Sequence, residues 1–156
     1  MKEVLTQTMM IILANLVPTV EQIGGIPLGI ALGLNPFYVY LVSVLVNSLL
    51  FFPLYVFLEL FYDNLLSRWR WFRRYLERTR KKGKPYVDRY GVLGVTLFIS
   101  LPGPFTGTYT ATILSWLLGL EKKKAFLAIC LGSSIGGLLI LASAMGLLKT
   151  LTLFKL

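Results

Sequence analysis

The sequence predicts an all-α integral membrane protein of two inverted-topology repeats, each a re-entrant helical hairpin followed by a transmembrane helix. Three observations lead there. Hydrophobic residues make up 56% of the 156-residue chain and charged residues only 15%. The charges are bunched: between Val4 and Phe61 only Glu21 and Glu59 carry one, whereas a soluble domain would spread charge over every element. Each half holds a Pro/Gly break flanked by short apolar arms. A shift of 86 residues lays one half on the other, Pro18 on Pro104, Gly33-Leu34 on Gly119-Leu120 and Asn47-Ser48 on Ser133-Ser134.

The first repeat is read over 1–67. Val4 to Val17 is an apolar run that reaches about 21 Å as a helix, short of a hydrocarbon core of about 30 Å. Pro18 interrupts it. A second short run, Ile23 to Leu34, stops at Asn35-Pro36. The two arms make a re-entrant hairpin over 4–34, a shape tolerated only where protein or a water-lined cavity covers the broken backbone. Met1-Lys2-Glu3 is a poor start for a cleavable leader, and no small-residue cleavage site follows, so the first run is assigned to the fold. The segment 37–62 is long enough to span, with Asn47 near its middle and Pro53 as an expected kink.

Residues 68–89 form a basic stretch. It holds ten of the sixteen Lys and Arg that give the chain its formal net charge of +9. In a membrane chain this excess marks the cytoplasmic side rather than a nucleic-acid surface. Trp69, Phe72 and Leu76 share one helical face, with Trp71 and Tyr75 beside it. The pattern predicts an interfacial amphipathic helix, its aromatic face in lipid and its basic face toward anionic headgroups. The candidate headgroup contacts are Arg68, Arg70, Arg73, Arg74, Lys81, Lys82 and Arg89. Gly83, Lys84 and Pro85 are expected to end the helix.

The second repeat, 90–156, follows the same plan. A hairpin over 90–120 breaks at Pro102-Gly103-Pro104-Phe105-Thr106-Gly107, and a spanning helix covers 125–148. Gly132 and Gly136 stand at GxxxG spacing, a close-packing face that serves either a dimer or the protomer itself. The basic loop and the Lys122–Lys124 cluster both read as cytoplasmic. The broken segment between them therefore enters and leaves on one side, and the first hairpin enters from the other. The rival arrangement, a plain four-span bundle with kinked crossings, would place Lys122–Lys124 outside.

Composition narrows the chemistry. The chain has no histidine and a single cysteine, Cys130, within an apolar run. Disulfides, Cys/His metal sites and histidine triads are excluded, no cofactor motif is present, and no nucleophile–base pair marks an enzyme. Glu21 is the strongest functional candidate. A charge at membrane depth must be neutralised, paired or wetted, which makes it a candidate proton carrier. The competing reading is a carboxylate that caps orphan N–H groups in the re-entrant turn. Gly24, Gly25 and Pro27 are backbone residues that permit bends and close approach. On the opposite tip, Pro102, Gly103, Pro104, Thr106, Gly107, Thr108 and Thr110 offer hydroxyls and free backbone groups to a substrate or a water chain, or to the broken backbone itself. Asn47 and Ser133 either line the same cavity or bond between helices. Inverted repeats with broken helices meeting near the midplane are the architecture of secondary transporters.

Glu21 followed by Gly25-Ile26-Pro27-Leu28-Gly29, together with Leu101-Pro102-Gly103-Pro104-Phe105-Thr106-Gly107, resembles the small multidrug export protein family, a distant relative of the DedA (VTT-domain) membrane proteins. The resemblance covers nearly the whole chain. It implies paired re-entrant hairpins and a transport role, and the wider superfamily is associated with flipping lipids, polyprenyl-phosphate carriers among them, and with proton-coupled transport. One departure bears on the substrate. DedA proteins carry an arginine after the second proline motif, suited to a phosphate, and 102–120 here holds no Arg or Lys. An acidic site without an intramembrane cation suits a proton or an amphipathic cation better.

The expectation is therefore a proton-linked transporter or lipid flippase in the cell membrane. It would be a homodimer because the body is small, without a cofactor, and would bind anionic lipid through a cytoplasmic 68–89. The alternative is a non-transporting scaffold held on anionic lipid by that basic helix.

Overall fold

A computed structural model describes residues 2–64, 69–103 and 106–153. Among these residues the chain forms six helices and no strand: α1 Lys2–Leu16, α2 Glu21–Ala31, α3 Pro36–Asn64, α4 Arg70–Ser100, α5 Thr108–Leu118 and α6 Lys122–Leu153. Two of them contain stretches long and apolar enough to cross a bilayer, Pro36–Tyr62 and Lys122–Gly146, each with mean hydropathy 2.2. Only 28% and 39% of their apolar windows are buried. A core helix of a soluble protein would hide most of that surface, whereas a bilayer accepts it.

Short helices fill the spaces between. Helix α1 has 15 residues and α2 has 11, about 22 and 16 Å long. They form an antiparallel pair: Gly25 lies against Asn15, Gly29 against Ile11, and Gln7 Nε2 donates to the Leu32 carbonyl at 3.1 Å. Close approach explains both glycines, since a Cβ at Gly25 would sit 2.2 Å from Asn15 Nδ2. Gly24 and Gly25 are inside α2 and make no bend. The chain turns instead at 17–20, where Thr19 takes φ 71 and Glu21 itself takes φ 38. Such values cost a residue with a Cβ about 1–3 kcal/mol and concentrate at functional sites.

Helix ends repeat at the same spacing as the sequence. Gly33 has φ 80 and Gly119 has φ 72, the left-handed conformation that glycine adopts without a side-chain penalty. After α2, Gly33 N donates to Ile30 O at 3.0 Å and Leu34 N to Gly29 O at 3.2 Å. After α5, Gly119 N donates to Trp116 O at 3.1 Å and Leu120 N to Ser115 O at 2.9 Å. Both are Schellman closures, with a leucine after the glycine in each. Asn35-Pro36, expected as a stop, also starts α3. Asn35 Oδ1 accepts from Phe37 N at 2.9 Å and Tyr38 N at 3.2 Å, and proline suits the first helical position.

The basic helix departs from its expected boundary. Helix α4 runs unbroken through Gly83-Lys84-Pro85 to Ser100 and contains Pro85. Proline deprives the Lys81 carbonyl of its usual donor, but Lys81 and Pro85 are exposed, so that carbonyl has solvent to bond. The aromatic face also divides. Leu76 is buried in the core and Phe72 packs on Tyr62, while Trp69, Trp71 and Tyr75 stay exposed. Arg70, Arg73, Arg74, Lys81, Lys82 and Arg89 are exposed as well, and Arg68 lies outside the described residues.

The core has two apolar ends and a polar middle. Along α3 the buried face reads Val39, Ser43, Asn47, Phe51, Tyr55 at four-residue steps, the helical period. Val39 belongs to one apolar cluster with Ile11 and Ile26, and Phe51 and Tyr55 to the other with Trp116 and Ile129. Along α6, Ile129, Ser133 and Ile140 repeat the apolar–polar–apolar order. The Gly132–Gly136 face is used within the protomer: a Cβ at Gly132 would lie 2.7 Å from Ile99 Cβ and one at Gly136 would lie 2.9 Å from the Ile99 carbonyl.

Candidate functional site

The polar middle is where the two breaks meet. Helix α5 begins at Thr108, and its preceding residue, Gly107, has no side chain to cap it. The first N–H groups of a helix lack intrahelical acceptors and carry partial positive charge. Glu21 fills that role from the other half of the chain. Its Oε2 accepts from Thr108 N at 2.8 Å and its Oε1 from Tyr109 N at 3.5 Å. Gly107 is what lets the carboxylate in, since a Cβ there would lie 2.2 Å from Glu21 Oε1. The φ of Gly107 is −89, which any residue can adopt, so space and not backbone freedom demands glycine.

A chain of buried polar groups continues from this contact. Thr108 Oγ1 donates to Asn47 Oδ1 at 3.4 Å, and Asn47 Nδ2 donates to Asn15 Oδ1 at 2.9 Å and to Ser43 O at 3.1 Å. Asn15 Nδ2 donates to Ser43 Oγ at 3.1 Å and to Ile11 O at 2.8 Å. Beside it, Gln22 Nε2 donates to Ser133 Oγ at 2.6 Å. Side chains of α1, α2, α3 and α5 thus share one network, and the Gln22–Ser133 pair ties α2 to α6 beside it, in keeping with the need of buried polar groups for partners. Tyr109 reaches back as well, its hydroxyl donating to the Leu16 carbonyl.

A small cavity of about 30 Å³ opens next to the carboxylate. That is room for a water molecule and is far below the size of a drug-binding pocket. Glu21, Pro102, Gly103, Thr106, Gly107 and Thr108 line it, with Gln22 and Ser133. Asn47 joins through Thr108. Thr106 Oγ1 donates to the Gly103 carbonyl at 3.1 Å and to that of Leu101, so this hydroxyl satisfies broken backbone. Gly24, Gly25, Pro27 and Thr110 do not line the cavity. Gly24 and Gly25 are packing contacts, and Pro27 and Thr110 are exposed. Pro104 lies outside the described residues.

The structure adds Asn15, Gln22 and Ser43 to the residues expected at the site. Asn15 carried the same signal as Asn47, a lone amide in an apolar run. Gln22 adjoins Glu21 and carried a signal of the same kind.

A family model for small multi-drug export proteins matches residues 21–139, opening on Glu21 and covering α2 to α5 and most of α6. The chain belongs to this family. No curated protein and no solved structure gives a significant match. Membership and the two long apolar helices together make this small multi-drug export family member a membrane protein.

Proposed function

We propose that this family member is a proton-linked transporter of small amphipathic cations, with Glu21 as its coupling group. One observation carries the proposal: a buried carboxylate from the first half is held by the first N–H groups of α5 in the second half, beside a water-sized cavity. A charged Glu21 complements the positive end of α5. Protonation removes that charge and loosens the tie between the halves. A carboxylate that can be discharged by a proton can also be discharged by a cationic substrate, and the two would compete for it. That is the logic of exchange.

The reading rests on paired hairpins entering the bilayer from opposite faces. Helices α1, α2 and α5 are each too short to cross it, and the matching glycine closures at 33 and 119 support the repeat. The exposed cations of α4 and the Lys122–Lys124 cluster support a cytoplasmic location for that end, by the charge rule, in a protein of the cell membrane. If the protein dimerises, a face other than Gly132–Gly136 is used.

The test is transport in proteoliposomes under an imposed pH gradient, with ethidium as the cation and a fluorescent phospholipid as a second arm. Glu21→Gln should abolish ethidium movement while the protein stays monodisperse and helical. Wild-type transport by that variant would overturn the proposal. Lipid movement alone, still dependent on Glu21, would replace the cation with a lipid. Silence in both arms, with function lost on charge reversal of Arg70–Lys84, would favour a lipid-anchored scaffold.

A further inference from the structure

The described cations of the basic run are exposed with one exception, Arg80, which is drawn inward. It crosses from α4 to the C-terminal end of α5. Its Nη2 donates to the Trp116 carbonyl at 3.0 Å and its Cζ lies 5.3 Å from the centroid of the Trp116 ring. A cation at a helix C-terminus is favourable. The guanidinium is nevertheless left incomplete: among the described residues its Nε is buried without a hydrogen-bond partner. A buried charged donor without an acceptor is costly and calls for an account.

The nearby carboxylates face lysines and not Arg80. Glu121 pairs with Lys124 at 3.2 Å, and Glu59 with Lys122 at 4.0 Å. Among the described residues no carboxylate pairs with Arg80. A cavity of about 680 Å³ opens beside it, lined also by Lys122, Tyr55, Tyr62 and Trp116 and by the carboxylates Glu59 and Glu121. This volume falls in the range of organic-ligand sites. Lys122 is half exposed and its pair with Glu59 is long, so it exchanges readily for a better partner. The Glu21 cavity adjoins the opposite end of α5, about 16 Å away along an 11-residue helix.

We propose that this cavity is a second site, one that takes a phosphate group. The guanidinium still has N–H groups to offer at Nε and Nη1, which lie on different edges, so it meets phosphate oxygens singly, and Lys122 adds a second cation as a point charge. Trp116 and Tyr62 wall the space for whatever organic group the phosphate carries. The site stands apart from the Glu21 centre and does not depend on transport. The same chemistry can come from a phospholipid headgroup or from a free phosphate.

The experiment uses Trp116 as its own reporter. The full chain is prepared in detergent with Trp69→Phe and Trp71→Phe, which leaves Trp116 as the single tryptophan. Its fluorescence is followed during titration with inorganic phosphate and with dihexanoyl phosphatidic acid, at matched ionic strength. A saturable change is expected. Arg80→Gln, which keeps a donor for the Trp116 carbonyl, should raise the Kd by roughly tenfold or more, and Lys122→Gln by less. Saturation with both probes assigns the site to the phosphate group alone, and saturation with the lipid analogue only assigns it to a headgroup. No saturable change with either probe overturns the proposal, as does wild-type affinity in both variants. If Arg80→Gln fails to fold, saturation of the unsubstituted site and its weakening in Lys122→Gln decide the matter.

Discussion

The two breaks occupy equivalent places in the chain and solve different problems. Shifted by 86 residues, Glu21 falls on Gly107. One position carries the buried acid, and the other has no side chain, so the acid of the first fits against it. The turns differ to match. The first, 17–20, is tight and holds Thr19 at positive φ, and its backbone already feeds α2: Glu21 N donates to Val17 O at 3.1 Å and Gly24 N to Val20 O at 3.0 Å. The second break leaves Thr108 N and Tyr109 N to Glu21. The two halves supply similar helix ends, Gly33-Leu34 and Gly119-Leu120. The proposed coupling site lies where the halves differ, with the charge on one side and the vacancy for it on the other.

The largest effect should come from closing that vacancy. Gly107→Ala puts a Cβ into the Glu21 carboxylate. It should abolish ethidium transport and lower stability by about 1–3 kcal/mol, the range for overpacking, measured by reversible unfolding in detergent. A functional Gly107→Ala protein would break the proposed pairing. Next comes an exchange of roles. The double substitution Glu21→Gly, Gly107→Glu moves the acid to the other half, facing α2, where the backbone N–H groups of residues 21 and 24 are already bonded to Val17 O and Val20 O. Transport should not return. Recovery would mean that the two breaks are interchangeable.

Smaller effects probe the support around the site. Gly25→Ala displaces Asn15, which orients Asn47 and through it Thr108. Stability should fall by about 1–3 kcal/mol. Asn15→Ala removes the amide without crowding and should cost about 1 kcal/mol, given the modest worth of hydrogen bonds within membranes. If the two stability losses are equal, the amide and not the crowding is what matters. The smallest effect is a difference between two substitutions at a feature the halves share. Gly33→Ala and Gly119→Ala each force alanine into the left-handed region at about 1–2 kcal/mol. The second should cost slightly more, because its Cβ also meets Arg80 Cδ at 3.3 Å. Unequal losses in the reverse order would weaken the equivalence of the two closures.

Much of this organisation was legible in one dimension. Apolar runs, their lengths and their Pro/Gly interruptions are local properties, and they mark the long helices and both breaks. Glu21 stood out because a lone acid in an apolar stretch is costly wherever it goes. The end of the basic helix was misread because Gly83-Lys84-Pro85 carries every local sign of a stop. Exposure let the helix pass, since solvent can take the freed carbonyl, and exposure is not a local property of sequence. The aromatic residues of 69–76 were read as one face in lipid. Register against Tyr62 and the core turned Phe72 and Leu76 inward.

The sequence by itself determined a membrane chain, two interruptions, a single acid within the first, and a cationic end. Tertiary structure alone decided what the acid and the cations touch. The partners of Glu21 are backbone N–H groups, and nearly every residue has one, so no residue type announces them. Only the packing of α2 and α5 on the same two helices, α3 and α6, brings Glu21 to the start of α5 and selects Thr108 and Tyr109 from the rest. Arg80 is chosen in the same way from a run of ten cations: it is the described one whose place on α4 meets the carbonyl end of α5.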